Sequence, residues 1–411
     1  MIWHQTIIAR SLDSFSKFLA VGASATLVLP TAILSTWMSL FLLCWLGSGN
    51  LRVKIARVAH HPVALSALAL VALFLLGILY TSASTEHALK IFGKYGRLLL
   101  IPLLLSVFYD SQLRDRAYRV FLGVMIATLL VSYAQLLGLV PLGPPGQEYA
   151  LVKGRIAHGF FMAVLVYLMA THFIQQPRLR WVWGVLVVLG INNVLFMNSG
   201  RTGYMILLGL MVLFTYQQWR WRGLLISVVA STMIAMIGFS ASPIFKQRIL
   251  EMSTDVQKYI QGDAEFTSVG GRMEFYQNSL QLIAKHPLLG GGTGSFKSEY
   301  AQLVKQQGVL STNPHNEYLM VTSELGLVGL AALLMLWIQQ WRYSQNLEWP
   351  YRHAAQGLVV AMVIGCLFNS FLLNFSEKWF YIYLAALSCA GPVFKKEQSH
   401  DAPKISVEAK R

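Results

Sequence analysis

Residues 62–81 read PVALSALALVALFLLGILYT, a run of twenty residues without a charged side chain. A helix needs ~20 mainly apolar residues to cross the ~30 Å hydrocarbon layer of a membrane, because its backbone must satisfy its own hydrogen bonds there. The run therefore predicts one transmembrane helix, and similar runs recur on both sides of it.

The composition of the whole chain agrees with this interpretation. The 411 residues are 55% hydrophobic and only 12% charged, whereas a soluble domain carries about 25% charged residues. This excludes a soluble globular enzyme, a disordered chain and a disulfide scaffold. The three cysteines lie in apolar runs without metal-ligand spacing, as expected for small buried residues. The first residues have no short apolar core before a cleavage site, so no removable signal peptide is expected.

Twelve apolar runs of sufficient length predict an all-α polytopic membrane protein with about twelve transmembrane helices. They cover residues 14–29, 31–48, 62–81, 90–108, 117–138, 156–175, 181–197, 202–218, 223–240, 316–340, 355–373 and 377–393. The first two runs are separated only by Pro30, so they could form a tight helical hairpin or one long kinked helix.

The distribution of basic residues predicts the orientation. With the N-terminus inside, nineteen of the 33 Lys and Arg residues fall in segments on the cytoplasmic side, and this excess is typical of cytoplasmic loops. Both termini are therefore expected in the cytoplasm. The resulting organisation is nine spans in residues 1–240, a large external loop at 241–314, three spans in 315–393 and a short basic tail at 394–411.

The large loop is not a simple linker. Its segment GRMEFYQNSLQLIAKHPLLGGG, residues 271–292, places Met273, Tyr276, Leu280 and Ile283 at helical spacing and ends in a proline and a glycine cluster. This pattern predicts a helix with a defined stop. We expect short helices that lie across the outer ends of the bundle.

Several basic residues lie on the external side, against the general trend. They are Lys94 and Arg97 near the fourth span, Lys153 and Arg155 before the sixth, Arg201 before the eighth, and Arg272 in the large loop. Charges at the hydrocarbon edge are costly and often functional, and arginines at helix N-termini suit a phosphate. Each could instead be a snorkelling anchor, but four clusters on one face favour an anionic ligand.

The sharpest candidate for chemistry is Asn313-Pro314-His315-Asn316-Glu317, where the large loop meets the tenth span. Histidine titrates near neutrality and can take a proton from a hydroxyl group; the alternative is a polar helix cap. Glu317 and Glu324 could orient the imidazole. Of the two, Glu317 is expected to be the more exposed.

Other chemistries find little support in the sequence. GGGTGSF lacks the Gly-Lys-Ser/Thr ending of a nucleotide-binding loop, and no nucleophile elbow is present. Asp263 and Glu265 could hold a metal, but their polar surroundings favour a solvated loop. Secondary transport would be expected to show inverted repeats, and none is evident. We therefore expect no metal or cofactor, and no nucleotide or nucleic acid as partner.

Three sequence features together resemble the O-antigen ligase and O-antigen polymerase superfamily of bacterial envelope glycosyltransferases. They are SGRTGY, GGRMEFYQNSLQLIAKHPLLGGGTGSF, and the pattern His315-Asn316-x9-Gly326-x-x-Gly329. The resemblance is strongest over residues 195–330 and is closest to the ligases.

This resemblance implies a GT-C-like glycosyltransferase of the bacterial inner membrane whose active site faces the periplasm. Such ligases transfer a glycan from undecaprenyl pyrophosphate to a sugar hydroxyl of lipid A–core without a metal. Attack by a hydroxyl from the face opposite the pyrophosphate would invert the anomeric centre. By this analogy His315 would be the general base, supported by Asn316 and Glu324. Arg201 and Arg272 would bind the pyrophosphate, with Arg155 in a supporting role. We add Lys94 and Arg97 from charge placement alone.

Three alternatives remain open. A polymerase of the same superfamily tends to have two large outer loops, and a protein O-oligosaccharyltransferase tends to be longer, so both comparisons favour the ligase. A flippase for a lipid-linked glycan would also need a basic cavity. It would not need His315, and this residue distinguishes the two classes.

Overall fold

The computed structural model describes residues 2–144, 149–150, 153–241, 243–261, 268–304 and 310–391. Within these ranges the chain forms seventeen α-helices and no strand. They are α1 (Ile2–Thr26), α2 (Thr31–Gly47), α3 (Leu51–Val58), α4 (Pro62–Gly77), α5 (Thr85–Tyr95), α6 (Leu100–Phe108), α7 (Ser111–Leu136), α8 (Arg155–Gln175), α9 (Arg180–Asn192), α10 (Arg201–Trp219), α11 (Trp221–Ala241), α12 (Pro243–Ile260), α13 (Ser268–Lys285), α14 (Ser295–Val304), α15 (Glu317–Ser344), α16 (Tyr351–Phe368) and α17 (Phe375–Cys389).

The all-α polytopic class is confirmed. In the described part of the chain, eight helical stretches are long and apolar enough to cross a membrane, and a ninth is counted if α2 and α3, bent by 113°, form one span. Every predicted run overlaps a helix. The helices α1, α10 and α17 do not qualify, because α1 carries three charged residues, α10 has polar ends and α17 has only 15 residues.

The first two helices form the hairpin that the sequence left open. The Trp37 Nε1 atom of α2 donates to the Leu19 carbonyl of α1 over 2.8 Å. A Cβ atom added to Gly22 would lie 2.6 Å from the Trp37 ring, so glycine lets the indole lie directly on α1. Pro30 lies at the turn between the two helices.

The helices at the centre of the bundle are α8, α16 and α17. Along its most apolar stretch α8 is 83% buried, whereas α11 is only 17% buried and presents an apolar surface suited to lipid. Aromatic rings join the central helices: the Phe160 ring lies 5.1 Å from that of Phe371, and the Phe161 ring lies 4.6 Å from that of Phe380. This packing holds the link between α16 and α17 against α8.

The helices α8 and α10 approach each other closely near their first turns. A Cβ atom on Gly203 would lie 3.0 Å from the Gly159 Cα atom, and small residues at such contacts allow two backbones to come together. At the start of both helices, the Asn198 side chain donates to the Arg155 carbonyl over 3.0 Å. Arg155 and Arg201, the first residues of α8 and α10, are therefore brought to the same end of the bundle.

The large loop carries helices, as predicted, and its glycine cluster packs on a kink in α15. Gly326 has φ 62° and ψ −162° inside this helix, a conformation essentially restricted to glycine. The backbone amides that the kink frees are used by the loop: Leu327 N donates to the Pro287 carbonyl over 2.8 Å. Gly292 N in turn donates to the Glu324 carbonyl over 2.8 Å. Gly326, the first glycine after the His-Asn motif, thus serves packing.

Replacing Gly326 with alanine is expected to destabilise the protein. The backbone conformation alone costs about 1–3 kcal/mol for a non-glycine residue, and the new Cβ atom would lie 2.2 Å from the Leu288 carbonyl carbon. Thermal unfolding in detergent measures the effect. Gly93→Ala is the matched control, because no atom lies within 4 Å of its added Cβ and alanine is the better helix former. Equal unfolding temperatures for Gly326→Ala and wild type would contradict this role for the kink.

Candidate active site

The N-termini of four helices, α8, α10, α15 and α17, lie beside the C-terminus of α16 and surround one region. Contacts between their first residues define it: the Glu317 carboxylate of α15 accepts from Leu372 N over 2.8 Å, and the Lys153 Nζ atom, just before α8, lies 5.9 Å from the Phe375 ring at the start of α17. Asn198 links the starts of α8 and α10. Unpaired N–H groups and the helix dipoles make such a region favourable for an anion.

His315 is held in this region by its local backbone. It has a left-handed conformation with φ 55°, and its N–H donates to the Asn313 side chain over 2.8 Å. Asn316 then caps α15 by accepting from Leu319 N over 3.0 Å. The turn places the half-buried imidazole beside the helix N-terminus instead of within the helix.

Asn369 fixes the protonation pattern of the imidazole. Its Oδ1 atom accepts from Ser370 N over 3.0 Å and lies 3.3 Å from His315 Nδ1. Because a backbone N–H can only donate, the atom facing it is the amide oxygen, and this oxygen requires a proton on Nδ1. Neutral His315 therefore carries its lone pair on Nε2, where it can accept a proton.

The large loop contributes the other face of the site through α13. The Phe275 ring is stacked on His315 with 6.0 Å between centroids, and the Tyr276 hydroxyl donates to the Leu367 carbonyl over 2.9 Å. Arg272 lies three and four positions before these residues, so it shares their face of the helix. One helical face thus carries the ring against His315 and the cation beside it.

Three of the predicted phosphate-binding arginines converge. Burial lowers the pKa of Arg272, and the positive charges of Arg201 and Arg155, the first residues of the adjacent helices α10 and α8, act in the same direction. Arg201 also pairs with Glu251 at 3.2 Å. A cluster with this excess of positive charge, beside helix N-termini, is suited to bind a diphosphate.

The surroundings of His315 keep the imidazole neutral. Burial lowers its pKa from the ordinary value of 6.5, the Asn369 hydrogen bond partly opposes this, and the Arg272 charge lowers the pKa further. A neutral imidazole at neutral pH has the free lone pair that a general base needs.

The activity is therefore expected to have an acid limb below the ordinary histidine pKa. As pH falls through the lowered pKa, protonation removes the Nε2 lone pair, so kcat/KM should be flat above about 6.5 and decline below it. In Arg272→Gln the neighbouring positive charge is gone, and the limb should move to higher pH. A wild-type limb centred above about 7 would contradict a lowered pKa.

Asn369 is a positioning residue for His315. Replacing Asn369 should change the tautomer of the imidazole while the imidazole itself remains in place. Asn369→Leu loses the acceptor that selects the Nδ1–H tautomer, so we expect kcat to fall about 10- to 100-fold, with little change in KM. Asn369→Asp keeps an acceptor oxygen and adds a negative charge. Asn369→Asp should retain more activity than Asn369→Leu, and its acid limb should move to higher pH. Equal losses and unchanged pH profiles in both would indicate a structural role only.

The structure corrects the expectations for the acidic residues. Glu317, expected to be exposed, is fully buried, because it accepts from the Tyr95 hydroxyl over 2.6 Å and from the backbone of the α16–α17 link. Glu324 is also fully buried, but it lies near the kink of α15, beside the backbone of Gly294 in the glycine cluster. Neither carboxylate orients His315; that partner is Asn369.

Lys94 and Arg97 belong to a different group of cations. Arg97 lies over the rings of Phe375 and Trp379, at 5.4 Å and 5.9 Å. Both cations act electrostatically on Lys378, a fully buried residue of α17 that sequence reasoning missed. Its signal was the Glu-Lys pair that begins the otherwise apolar run 377–393.

Two further features lie apart from this site. Asp263 and Glu265, the candidate metal pair, fall outside the described residues. At the opposite ends of α8, α15, α16 and α17 lies a cavity of about 660 Å³, lined by residues that include Arg114, His172 and Trp349. None of the residues around His315 lines it.

Comparison with known proteins identifies the segment that carries the site. Residues 185–334, which contain Arg201, Arg272 and His315, match a family model described as O-antigen ligase. An uncharacterized protein of Haemophilus influenzae is 24% identical over 253 residues, 58% of this chain and 62% of that protein. The O-antigen ligase of Pseudomonas aeruginosa is 29% identical over 120 residues, 28% of either chain.

These matches span less than two thirds of each relative's own length. The fold is that of a multi-pass membrane protein. The predicted resemblance to the O-antigen ligase family is confirmed.

Proposed function

We propose that the chain is a glycosyltransferase that moves an O-antigen glycan from undecaprenyl pyrophosphate to a sugar hydroxyl of lipid A–core during lipopolysaccharide assembly. The observation that supports this most directly is the combination of one neutral imidazole, with Nε2 free to accept a proton, and the cluster of Arg155, Arg201 and Arg272. A base and a diphosphate site side by side are what glycan transfer from a polyprenyl pyrophosphate requires.

The proposed reaction is a direct displacement at the anomeric carbon of the glycan. His315 Nε2 takes the proton of the acceptor hydroxyl as its oxygen forms the new bond to that carbon. The bond between the anomeric carbon and the pyrophosphate oxygen breaks, and undecaprenyl pyrophosphate leaves with the bonding electrons. Attack opposite the leaving group inverts the anomeric centre.

The arginines act on the leaving group. Negative charge grows on the bridging oxygen as the bond breaks, so fixed cations stabilise the transition state more than the bound donor. The donor is already activated by its pyrophosphate, so no nucleotide is needed, and the three guanidinium groups supply the charge that a metal supplies in other enzymes.

The proposed location is the bacterial inner membrane, with the site facing the periplasm and both termini in the cytoplasm. The bias of Lys and Arg toward one set of loops supports this orientation. The site lies at the bundle end opposite Arg114 and Arg119, two residues that belong to the predicted cytoplasmic set. A GT-C-like arrangement, with the lipid tail between helices, is part of the same proposal.

The test is transfer by the purified protein in proteoliposomes that contain an undecaprenyl pyrophosphate-linked glycan, with and without lipid A–core. We expect glycan on lipid A–core only when both substrates are present. Elongation of the glycan on its own carrier would identify a polymerase. Donor movement across the bilayer without a new glycosidic bond would identify a flippase and contradict the proposal.

A further inference from the structure

Two lysines near the start of α17 are buried without a partner. Lys378 is 0% exposed and Lys153 is 6% exposed, and neither Nζ atom has a hydrogen-bond partner among the described residues. An ammonium group taken out of water without an anion is strongly unfavourable. A counter-charge is therefore expected at this position when the protein works.

These lysines share their surroundings with Arg97. The Arg97 guanidinium lies 5.4 Å from the centre of the Phe375 ring. The Lys153 Nζ atom lies 5.9 Å from the same ring centre. Arg97 lies 5.9 Å from the ring of Trp379, the residue that follows Lys378. Arg97 is half-buried, whereas the two lysines are buried. The group thus combines one partly accessible cation with two buried ones.

The neighbouring carboxylates leave the lysines unpaired. Glu317 and Glu377 act on Lys378 electrostatically, as do the cations Arg97 and Lys94. Glu377 acts on Lys153 as well, and its own carboxylate is hydrogen-bonded to the Asn374 side chain. Both oxygens of Glu317 are already hydrogen-bonded, to the Tyr95 hydroxyl and to backbone N–H groups. Within the described ranges, no carboxylate forms an ion pair with Lys378 or Lys153.

We propose that Arg97, Lys153 and Lys378 form a second anion site, at the start of α17, that binds a phosphate group of a lipid substrate. This α17 cation site is distinct from the arginine cluster of the candidate active site, and the inference rests on the proposed function for the identity of the lipids. A phosphomonoester carries up to two negative charges and three acceptor oxygens, which matches three cations with unused donors.

The position of His315 favours the acceptor as the source of this phosphate. The imidazole contacts α13, which carries Arg272, through Phe275. It contacts the α16–α17 link, which leads to Phe375, through Asn369. A base between the two anion sites is correctly placed if the donor diphosphate occupies one and a phosphorylated acceptor occupies the other.

Binding of the two lipids to the purified protein tests the site without requiring transfer. The variant is Lys378→Met, because an apolar chain of similar length removes the buried charge and its desolvation cost, so the fold should persist. The exposed Lys90→Met is the control. The probes are lipid A–core, the same lipid after phosphatase treatment, and the undecaprenyl pyrophosphate-linked glycan.

We expect wild type and Lys90→Met to bind the phosphorylated acceptor at least about tenfold more tightly than the treated one. Lys378→Met should bind both forms equally and weakly, with donor binding unchanged. A loss confined to the donor would keep the phosphate site but assign it to the pyrophosphate lipid. Wild-type affinity of Lys378→Met for all three probes would overturn the inference, while wild-type transfer in the same preparation would leave the proposed function standing.

Discussion

Replacing His315 with asparagine is expected to lower glycan transfer by about 10²–10⁴-fold, the usual cost of losing a general base. Asparagine is the informative substitution because His315 has φ 55°, and asparagine tolerates the left-handed region better than most residues. The variant should therefore insert, fold and bind the donor as wild type does. The measurement is the single-turnover rate of transfer in proteoliposomes that hold saturating donor and acceptor.

His286→Asn provides the control, since His286 is an exposed histidine of the same large loop and should transfer at the wild-type rate. His315→Ala should be as inactive as His315→Asn, although it carries the additional backbone cost. Transfer by His315→Asn above about a tenth of wild type would show that another group takes the hydroxyl proton.

The second large effect is expected at Arg272. Lysine keeps the positive charge but loses the planar fork that binds a diphosphate through two parallel hydrogen bonds. Arg272→Lys should therefore lower kcat/KM at least about tenfold. Arg272→Ala, which removes a cation that stabilises the leaving group, should lose about 10²–10³-fold. Steady-state kinetics with varied donor measures both.

Arg178→Lys is the matched control, because Arg178 is exposed near the opposite end of α8 and should be insensitive to the exchange. If Arg272→Lys were as active as wild type while Arg272→Ala were inactive, simple charge attraction would replace bidentate binding. If Arg272→Ala were also fully active, the arginine cluster would have no part in holding the pyrophosphate.

Local sequence patterns predicted most of the helical architecture and part of the candidate site. Apolar runs identify helices because each helix must pair its own backbone in the membrane. Arg155, Arg201 and His315 were recognisable because each lies at a helix start, and helix starts are encoded by nearby residues. Their roles in binding and catalysis remain predictions.

The parts that the sequence did not predict depend on contacts between distant residues. Asn369 lies 54 positions from His315, and its signal was only a polar Asn-Ser pair near the end of the run 355–373. The burial of Glu317 depends on the α16–α17 link, whose backbone N–H groups it accepts from.

Local sequence patterns also did not predict that the external cations would separate into two groups. Lys153 and Arg155 are two positions apart, yet Lys153 lies against Phe375 and Arg155 acts on Arg272. Charge placement alone grouped Lys94 and Arg97 with the arginines, because it reports the side of the membrane and not the neighbouring side chains. The packing of α6 and of the turn before it on α17 decides the surroundings of Arg97.

The central claim is that a hydroxyl deprotonated by His315 displaces the pyrophosphate directly. The anomeric configuration of the product tests this, and the ³J coupling between H1 and H2 of the transferred sugar reports it for a donor of known configuration. Inversion at the anomeric carbon is the predicted result. Retention would require a glycosyl-enzyme intermediate and a second displacement, and it would contradict direct displacement by a hydroxyl that His315 activates.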